Sequence, residues 1–176
     1  MTVHRWMVEK ASDDKLATAM QLVHDAYVRA GYILPVHGGV RGRVWNNSAN
    51  TVTFMAEQDG VVVGVISIVR DSTECGLPSD RVFGAEIDGL RADGLVSEVT
   101  NLAILPDVRS PRLPLVLAEA CREQAIEWGC RYAFVAISPG HARFFKRAFG
   151  FVECGEQRNC SDELTDMVQG MVLEFE

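Results

Sequence analysis

The stretch that decides the fold is Glu98-Val99-Thr100-Asn101-Leu102-Ala103-Ile104-Leu105-Pro106-Asp107-Val108-Arg109. Leu95 to Leu105 is predicted to form a strand, which Pro106 ends because proline cannot donate to a sheet ladder. Pro114 then fits the first turn of a helix that reaches Trp128. This order places a helix N-terminus beside a strand end, which is where an anionic cofactor can bind.

The elements on either side are predicted from hydrophobic periodicity and turn residues. Upstream, we expect strands at Val3 to Val8, Thr51 to Glu57 and Val61 to Val69, and helices after Ser12 to about Ala30 and at Asp80 to Arg91. Gln58-Asp59-Gly60 is a hairpin turn. Downstream, we expect a strand at Tyr132 to Ile137, a short helix at Gly140 to Phe149, a strand beginning at Phe151, and a last strand at Met167 to Phe175. The order is that of an α/β protein with a mixed sheet covered by helices.

Length and composition fit one soluble domain spanning residues 1–176, with 48% hydrophobic and 23% charged residues. The sequence shows neither a signal peptide nor an apolar run long enough to span a bilayer, so we expect a cytoplasmic protein. Five cysteines without a C-x-x-C pair argue against a disulfide framework. A metal shared by Cys154, Cys160 and His141 is the alternative to reduced thiols, and we expect no metal.

Charge is distributed unevenly along the chain. The net charge of −7 argues against general nucleic-acid binding. Residues 109–147 contain seven Lys or Arg and three Asp or Glu, so this segment carries +4 and the remainder carries −11. An acidic protein with one basic segment indicates a local site for an anionic ligand or partner.

Two segments resemble signatures of the GNAT superfamily. The run from Glu98 to Arg109 resembles its acyl-carrier-binding strand and loop, and Pro139-Gly140-His141-Ala142-Arg143-Phe144-Phe145-Lys146-Arg147-Ala148-Phe149-Gly150-Phe151 resembles its later helix. More narrowly, the chain resembles the long-chain N-acyl amino acid synthases, which are related to acyl-homoserine-lactone synthases. Four segments carry that likeness: residues 24–33, 71–78, 83–91 and 97–99. Residues 71–94 form an insert that ordinary GNAT enzymes lack.

The resemblance implies a GNAT-like, mixed and mostly antiparallel sheet flanked by helices. It implies an N-acyltransferase that moves an acyl group, typically a fatty acyl group, from a pantetheine thioester to the amine of an amino acid or a similar molecule, with no tightly bound cofactor. Glu98 is then the catalytic base. The implied donor-binding residues are Asn101, Leu102, Ala103, Ile104, Arg109, Ser110, Arg112, His141 and Phe144, and the implied substrate-binding residues are Tyr27, Tyr32 and Phe83.

One departure from the superfamily pattern concerns the donor. The usual loop carries glycines whose amides surround a pyrophosphate, whereas here it reads Arg109-Ser110-Pro111-Arg112-Leu113-Pro114. Proline supplies no amide, so this loop disfavours ordinary binding of a CoA diphosphate. It suits an acyl carrier protein, which presents phosphopantetheine and would meet Arg109 and Arg112 with acidic groups.

The residues themselves leave alternatives open. Glu98 lies among β-branched residues, where burial would raise its pKa towards that of a useful base, but it could also face solvent. His141 could be a cap or surface residue, and Phe144 could belong to the core. We further expect the insert to enclose the acyl chain with Leu77, Val82, Phe83, Ile87 and Leu90. The competing functions are an acetyl-CoA-dependent small-molecule acetyltransferase, a non-catalytic acyl-binding domain, and an autoinducer synthase that consumes S-adenosylmethionine.

Overall fold

The computed structural model describes residues 6–40, 44–160 and 167–176. Its strands are β1 (Met7–Lys10), β2 (Thr51–Gln58), β3 (Val61–Arg70), β4 (Val96–Ile104), β5 (Tyr132–Ile137), β6 (Val152–Glu153), β7 (Arg158–Asn159) and β8 (Met167–Glu174). Its α-helices are α1 (Asp13–Arg29), α2 (Asp80–Arg91), α3 (Arg112–Glu127) and α4 (Ala142–Phe149). Two 3₁₀ helices, Val44–Asn47 and Pro139–His141, complete the described elements.

The strands form a mixed sheet in the order β1-β2-β3-β4-β5-β8-β6, with β7 pairing with β8. Every described pair is antiparallel except β4 with β5. That parallel pair is short, because its register runs only from Val96 opposite Tyr132 to Glu98 opposite Phe134. The fold is therefore the mixed, mostly antiparallel α+β sheet that the sequence predicted.

An irregularity in β4 follows this short pairing. Val65 lies opposite Ala103, yet Ser67 lies opposite Thr100, so β4 contains one residue more than β3 between these points. Asn101 in this interval has a φ of 56°, a left-handed conformation that asparagine tolerates better than most residues. Such a bulge bends a strand and re-aims its side chains.

Helices cover both faces of the sheet, and alternation along β3 shows which face each helix covers. On one face, Val65 packs with the buried side of α1 and Val69 packs with α2. On the other face, Ile66 and Ile68 pack with α3. Helix α4 lies on this second face as well, with Phe145 against β5 and β8. The described part of the chain has no helix that is both long and apolar enough to cross a bilayer.

Most predicted elements are confirmed, with local differences. The turn between β2 and β3 has positive φ angles at Asp59 and Gly60, as expected of a two-residue hairpin loop. Ser12 occupies the N-cap of α1, but its side chain makes no capping hydrogen bond. The first strand is described from Met7 to Lys10, and Val3 to Arg5 lie outside the described residues. Strand β7 and the 3₁₀ helices were not predicted.

Candidate active site

A cavity of about 390 Å³ opens where β4 and β5 part. Its lining residues come from both strands, from the end of α1 and its following turn, from the start of the α4 region and from β8. They are Tyr27, Tyr32, Val99, Thr100, Asn101, Leu102, Ala103, Ile104, Val135, Ala136, Ile137, Ser138, His141, Phe145, Met167 and Val168. We call this space the cleft cavity. It brings together seven of the residues that the sequence singled out: Tyr27, Tyr32, Asn101, Leu102, Ala103, Ile104 and His141.

The backbone of β4 supplies hydrogen-bonding groups to the cleft cavity. Its pairing with β5 ends at Glu98, so within the part of the chain that the structure describes, the peptide groups from Val99 to Ile104 that face β5 have no strand partner. Backbone N–H and C=O groups in such a position need another hydrogen-bond partner. An extended ligand that carries amide groups can pair with them as a further strand would.

Two tyrosines form the wall of the cleft cavity on the α1 side. The rings of Tyr27 and Tyr32 pack edge to face with centroids 5.8 Å apart. The turn between them is closed by the Tyr32 amide, which donates to the Tyr27 carbonyl at 2.9 Å, and Gly31 supplies the positive φ. The segment after Tyr32 is tied back to α1, because the Val36 amide donates to Nε2 of His24 at 3.1 Å.

Glu98 lies at the point where β4 and β5 begin to part, and it is almost completely buried. Its side chain faces α2, and only 2% of the residue is exposed. The Ser79 amide donates to Oε2 at 3.0 Å, and the Ser79 hydroxyl donates to Oε1 at 2.6 Å. The carboxylate is not among the described groups that line the cleft cavity. Thr100 does line it, two residues further along the same strand, which is a displacement of roughly 7 Å.

The surroundings of Glu98 favour its protonated form. Burial is the largest influence and raises the pKa of the carboxyl to about 8. Both hydrogen bonds from Ser79 oppose that rise because they stabilise the carboxylate, and Arg91 acts in the same direction. Asp80 adds to the rise through its negative charge. The result is a carboxyl whose pKa lies near physiological pH, which suits a general base.

A second polar cluster lies beside the cleft cavity on the α1 face. Asn101 donates from Nδ2 to Oδ1 of Asn46 and to Oγ of Ser67, each at 3.1 Å. Ser67 is in turn bonded to Thr53 at 2.8 Å. All four residues are buried. Sequence reasoning missed Asn46, Ser67 and Ser79, and only Ser79, directly before a predicted helix, carried a local signal as a cap.

A second cavity, of about 170 Å³, lies between the sheet and helices α3 and α4. It shares Val99, Leu102 and Phe145 with the cleft cavity. Its other walls are mostly apolar: Ile66, Ile68, Ala118, Glu119, Cys121, Arg122, Ala133, Ala148, Phe149, Phe151, Leu173 and Phe175. We call it the tail cavity, and the three shared side chains form a common wall between it and the cleft cavity.

The remaining predicted residues lie elsewhere. Arg109 and Arg112 are exposed around the start of α3, and Ser110 Oγ accepts a hydrogen bond from the Arg112 amide at 3.3 Å. Phe144 is 39% exposed on α4 and packs edge to face on Phe145. Phe83 is fully buried against Phe134 and lines none of the described cavities.

Three apolar residues of the insert, Leu77, Phe83 and Ile87, line neither the cleft cavity nor the tail cavity. They are buried in a cluster that also contains Val69 and Phe134. In this arrangement they pack as part of the core over one face of the sheet, and the enclosure of an acyl chain by the insert stays a prediction. The same segment brings Ser79, directly before α2, to Glu98.

Comparison with known proteins decides the family. A family model described as N-acyl amino acid synthase FeeM matches residues 18–174, which is most of the chain. The chain belongs to the FeeM family of N-acyl amino acid synthases. It is accordingly an N-acyltransferase, and its reaction is the transfer of an acyl group to an amine.

Solved structures agree with this fold. FeeM from uncultured soil microbes has a TM-score of 0.84 at 22% identity, over 97% of this chain and 91% of that one. The acyl-homoserine lactone synthase BjaI, described as CoA-dependent, has a TM-score of 0.75 at 18% identity, over 98% and 84%. A ribosomal-protein-alanine N-acetyltransferase from Brucella melitensis has a TM-score of 0.63 at 18% identity, over 96% and 99%. A sequence search of curated proteins found no match.

The pKa of Glu98 predicts a specific dependence of stability on pH. The unfolded chain loses this proton near 4.5, whereas the folded chain keeps it up to about 8. Between these values the folded state binds more protons, so the free energy of unfolding falls as pH rises, by at most about 1.4 kcal/mol per pH unit. Urea unfolding of wild type and Glu98→Gln should show the variant gaining relative stability from pH 5 to pH 8.

A variant without a titratable change provides the control. Leu77→Ala removes buried packing beside the same helix and should lower stability by a similar amount at each pH. If the difference between wild type and Glu98→Gln stays constant across this range, Glu98 is ionised in the folded protein at neutral pH and the assignment of its pKa is wrong.

Proposed function

We propose that this protein transfers a fatty acyl group from a pantetheine thioester to the amine of an amino acid or a similar small molecule. Two features of β4 carry the proposal. Its backbone groups beyond Glu98, which have no strand partner among the described residues, line the cleft cavity. The buried carboxyl of Glu98, with a pKa of about 8, lies where β4 and β5 begin to part. Membership of the FeeM family supports the same chemistry.

The reaction requires the removal of a proton before the amine can attack. Glu98 accepts a proton from the substrate ammonium, through a water because its carboxylate lies behind the cavity wall. The neutral nitrogen then attacks the thioester carbon and forms the C–N bond. An N–H of β4 between Val99 and Ile104 stabilises the oxyanion. Collapse of the intermediate breaks the C–S bond, and the thiolate that leaves takes up the proton from the nitrogen.

The two cavities divide the substrates between them. Pantetheine occupies the cleft cavity along β4, and the amine approaches from the wall formed by Tyr27 and Tyr32. The acyl tail enters the tail cavity past Val99, Leu102 and Phe145, because this is the apolar space adjoining the proposed position of the thioester. An acetyl group would leave the tail cavity unused, which makes a long acyl group the better fit.

The donor that we favour is an acyl carrier protein. Around the start of α3, Pro111 and Pro114 have no amide to offer a diphosphate, and the Arg112 amide is already bonded to Ser110. Two segments expose cations: Arg109 and Arg112 around the start of α3, and Arg143, Lys146 and Arg147 on α4. The same helices expose the apolar side chains of Leu115, Val116 and Phe144. An acidic helical partner fits that combination.

The base assignment is tested by Glu98→Gln. The substitution keeps the size of the side chain but removes its ability to accept a proton, so turnover should fall by on the order of 10²-fold with donor binding retained. Wild-type kcat should rise with pH towards about 8, where Glu98 becomes ionised. Product formation followed by mass spectrometry measures both effects. Near-normal turnover of the variant from about pH 6 to pH 9 would exclude Glu98 as the base.

The tail cavity is tested by donor chain length. Each buried methylene should add roughly 0.8 kcal/mol to donor binding until the cavity is full. Ala118→Leu places extra atoms in the tail cavity and should shift the preference to shorter chains. Ala120→Leu, on the same helix but outside the cavity lining, is the matched control and should keep the wild-type preference. A response that is flat from acetyl to long chains would favour an acetyltransferase instead.

The carrier is tested by reversing charge around the start of α3. Arg109→Glu combined with Arg112→Glu should weaken the reaction with acyl carrier protein, and added salt should weaken the wild-type reaction in the same way. Lys10→Glu, on the edge strand β1, is the control and should have little effect. A short acyl-pantetheine should react equally with all three proteins. If acyl-CoA is the better donor and carrier kinetics ignore salt and both substitutions, the donor is CoA.

A further inference from the structure

One residue holds both oxygens of the Glu98 carboxylate. Ser79 donates its backbone N–H to Oε2 and its hydroxyl to Oε1, at 3.0 and 2.6 Å. Ser79 is itself buried, and the residues that lie opposite Glu98 on the neighbouring strands, Val69 and Phe134, are apolar. The carboxylate cannot rotate without losing one of the two hydrogen bonds, so Ser79 fixes the orientation of the base.

The position of Ser79 is fixed by a network at the start of α2. The Leu77 amide donates to Oδ2 of Asp80 at 2.7 Å, which closes the turn that contains Ser79. Arg91 at the other end of α2 binds Asp80 and also Asp71, which directly follows β3. The turn before α2 is thereby closed across Ser79 and tied through Asp80 and Arg91 to Asp71 at the end of β3, which holds the two donors in place.

We propose that Ser79 is a positioning residue that holds the Glu98 carboxylate in the orientation from which it accepts the substrate's proton. The inference rests on the base role proposed above. The charged groups that act on Glu98 are Asp80, which favours its protonated form, and Arg91, which opposes it, and both belong to α2. The hydroxyl of Ser79 favours the ionised form more directly than either, because it bonds the carboxylate itself.

Removal of the hydroxyl should therefore change when Glu98 ionises as well as how it is oriented. In Ser79→Ala the backbone donor remains and the second donor is lost. Loss of a hydrogen bond to a charged group shifts the pKa of that group by about one unit or more. We expect the pH midpoint of kcat to move upwards by about that amount and kcat at pH 7 to fall about tenfold, with the KM for the donor unchanged.

Three variants separate this role from a structural one. Ser79→Thr keeps a hydroxyl and should restore both the midpoint and the rate. Ser97→Ala is the matched control, since Ser97 is equally buried and adjacent to Glu98, but its hydroxyl donates to the Tyr132 carbonyl at 3.2 Å. This control should lose stability without a shift in the midpoint. Ser79→Cys keeps the size with a weaker donor, and it provides the same comparison if Ser79→Ala does not fold.

The deciding measurement follows the Glu98 carboxyl directly by ¹³C NMR during a pH titration, beside the pH profile of kcat. Upward shifts of both in Ser79→Ala support the proposal. An unchanged titration of Glu98 overturns the role of Ser79, while the base role of Glu98 still stands or falls with Glu98→Gln. A titration that shifts while the kinetic profile does not would show that Glu98 is not the base, and this overturns both assignments.

Discussion

The separation of β4 from β5 is the constraint on which the rest of the site depends. The two strands pair over three residues and then part, and beyond that point one edge of β4 has no strand partner among the described residues. Unpaired backbone groups are costly when they are buried. The backbone groups that still need hydrogen-bond partners therefore lie where an extended ligand can add to the sheet. The bulge at Asn101 lies in the same strand.

A balance of opposing effects at Glu98 complements this opening. Removal of the carboxyl from water raises its pKa, and the donors of Ser79 limit that rise. With burial alone, the group would remain protonated and could not act as a base near neutral pH; with full solvation it would be too weakly basic to take a proton from an ammonium. The insert contributes to both effects, because Ser79, directly before α2, supplies the donors and α2 packs against β4.

Sequence reasoning predicted the parts of this structure that local signals control. Strand β3 begins directly after Gly60, β4 ends shortly before Pro106, and α3 ends shortly before Gly129. The partners of the site residues were less accessible, because Asn46 and Asn101 lie 55 positions apart and meet only through the fold. The role of the insert is also beyond composition, because apolar side chains are the same whether they line a pocket or fill a core.

The most direct test of the account is a crystal structure of the protein with a non-reactive thioether analogue of a long-chain acyl-pantetheine. The account predicts that the pantetheine amides form hydrogen bonds with the backbone of β4 between Val99 and Ile104. It also predicts that the sulfur lies close to the point where β4 and β5 part, beside Glu98, and that the alkyl chain enters the tail cavity between α3 and α4. An analogue bound outside the cleft, or an alkyl chain running beneath α2, would contradict it.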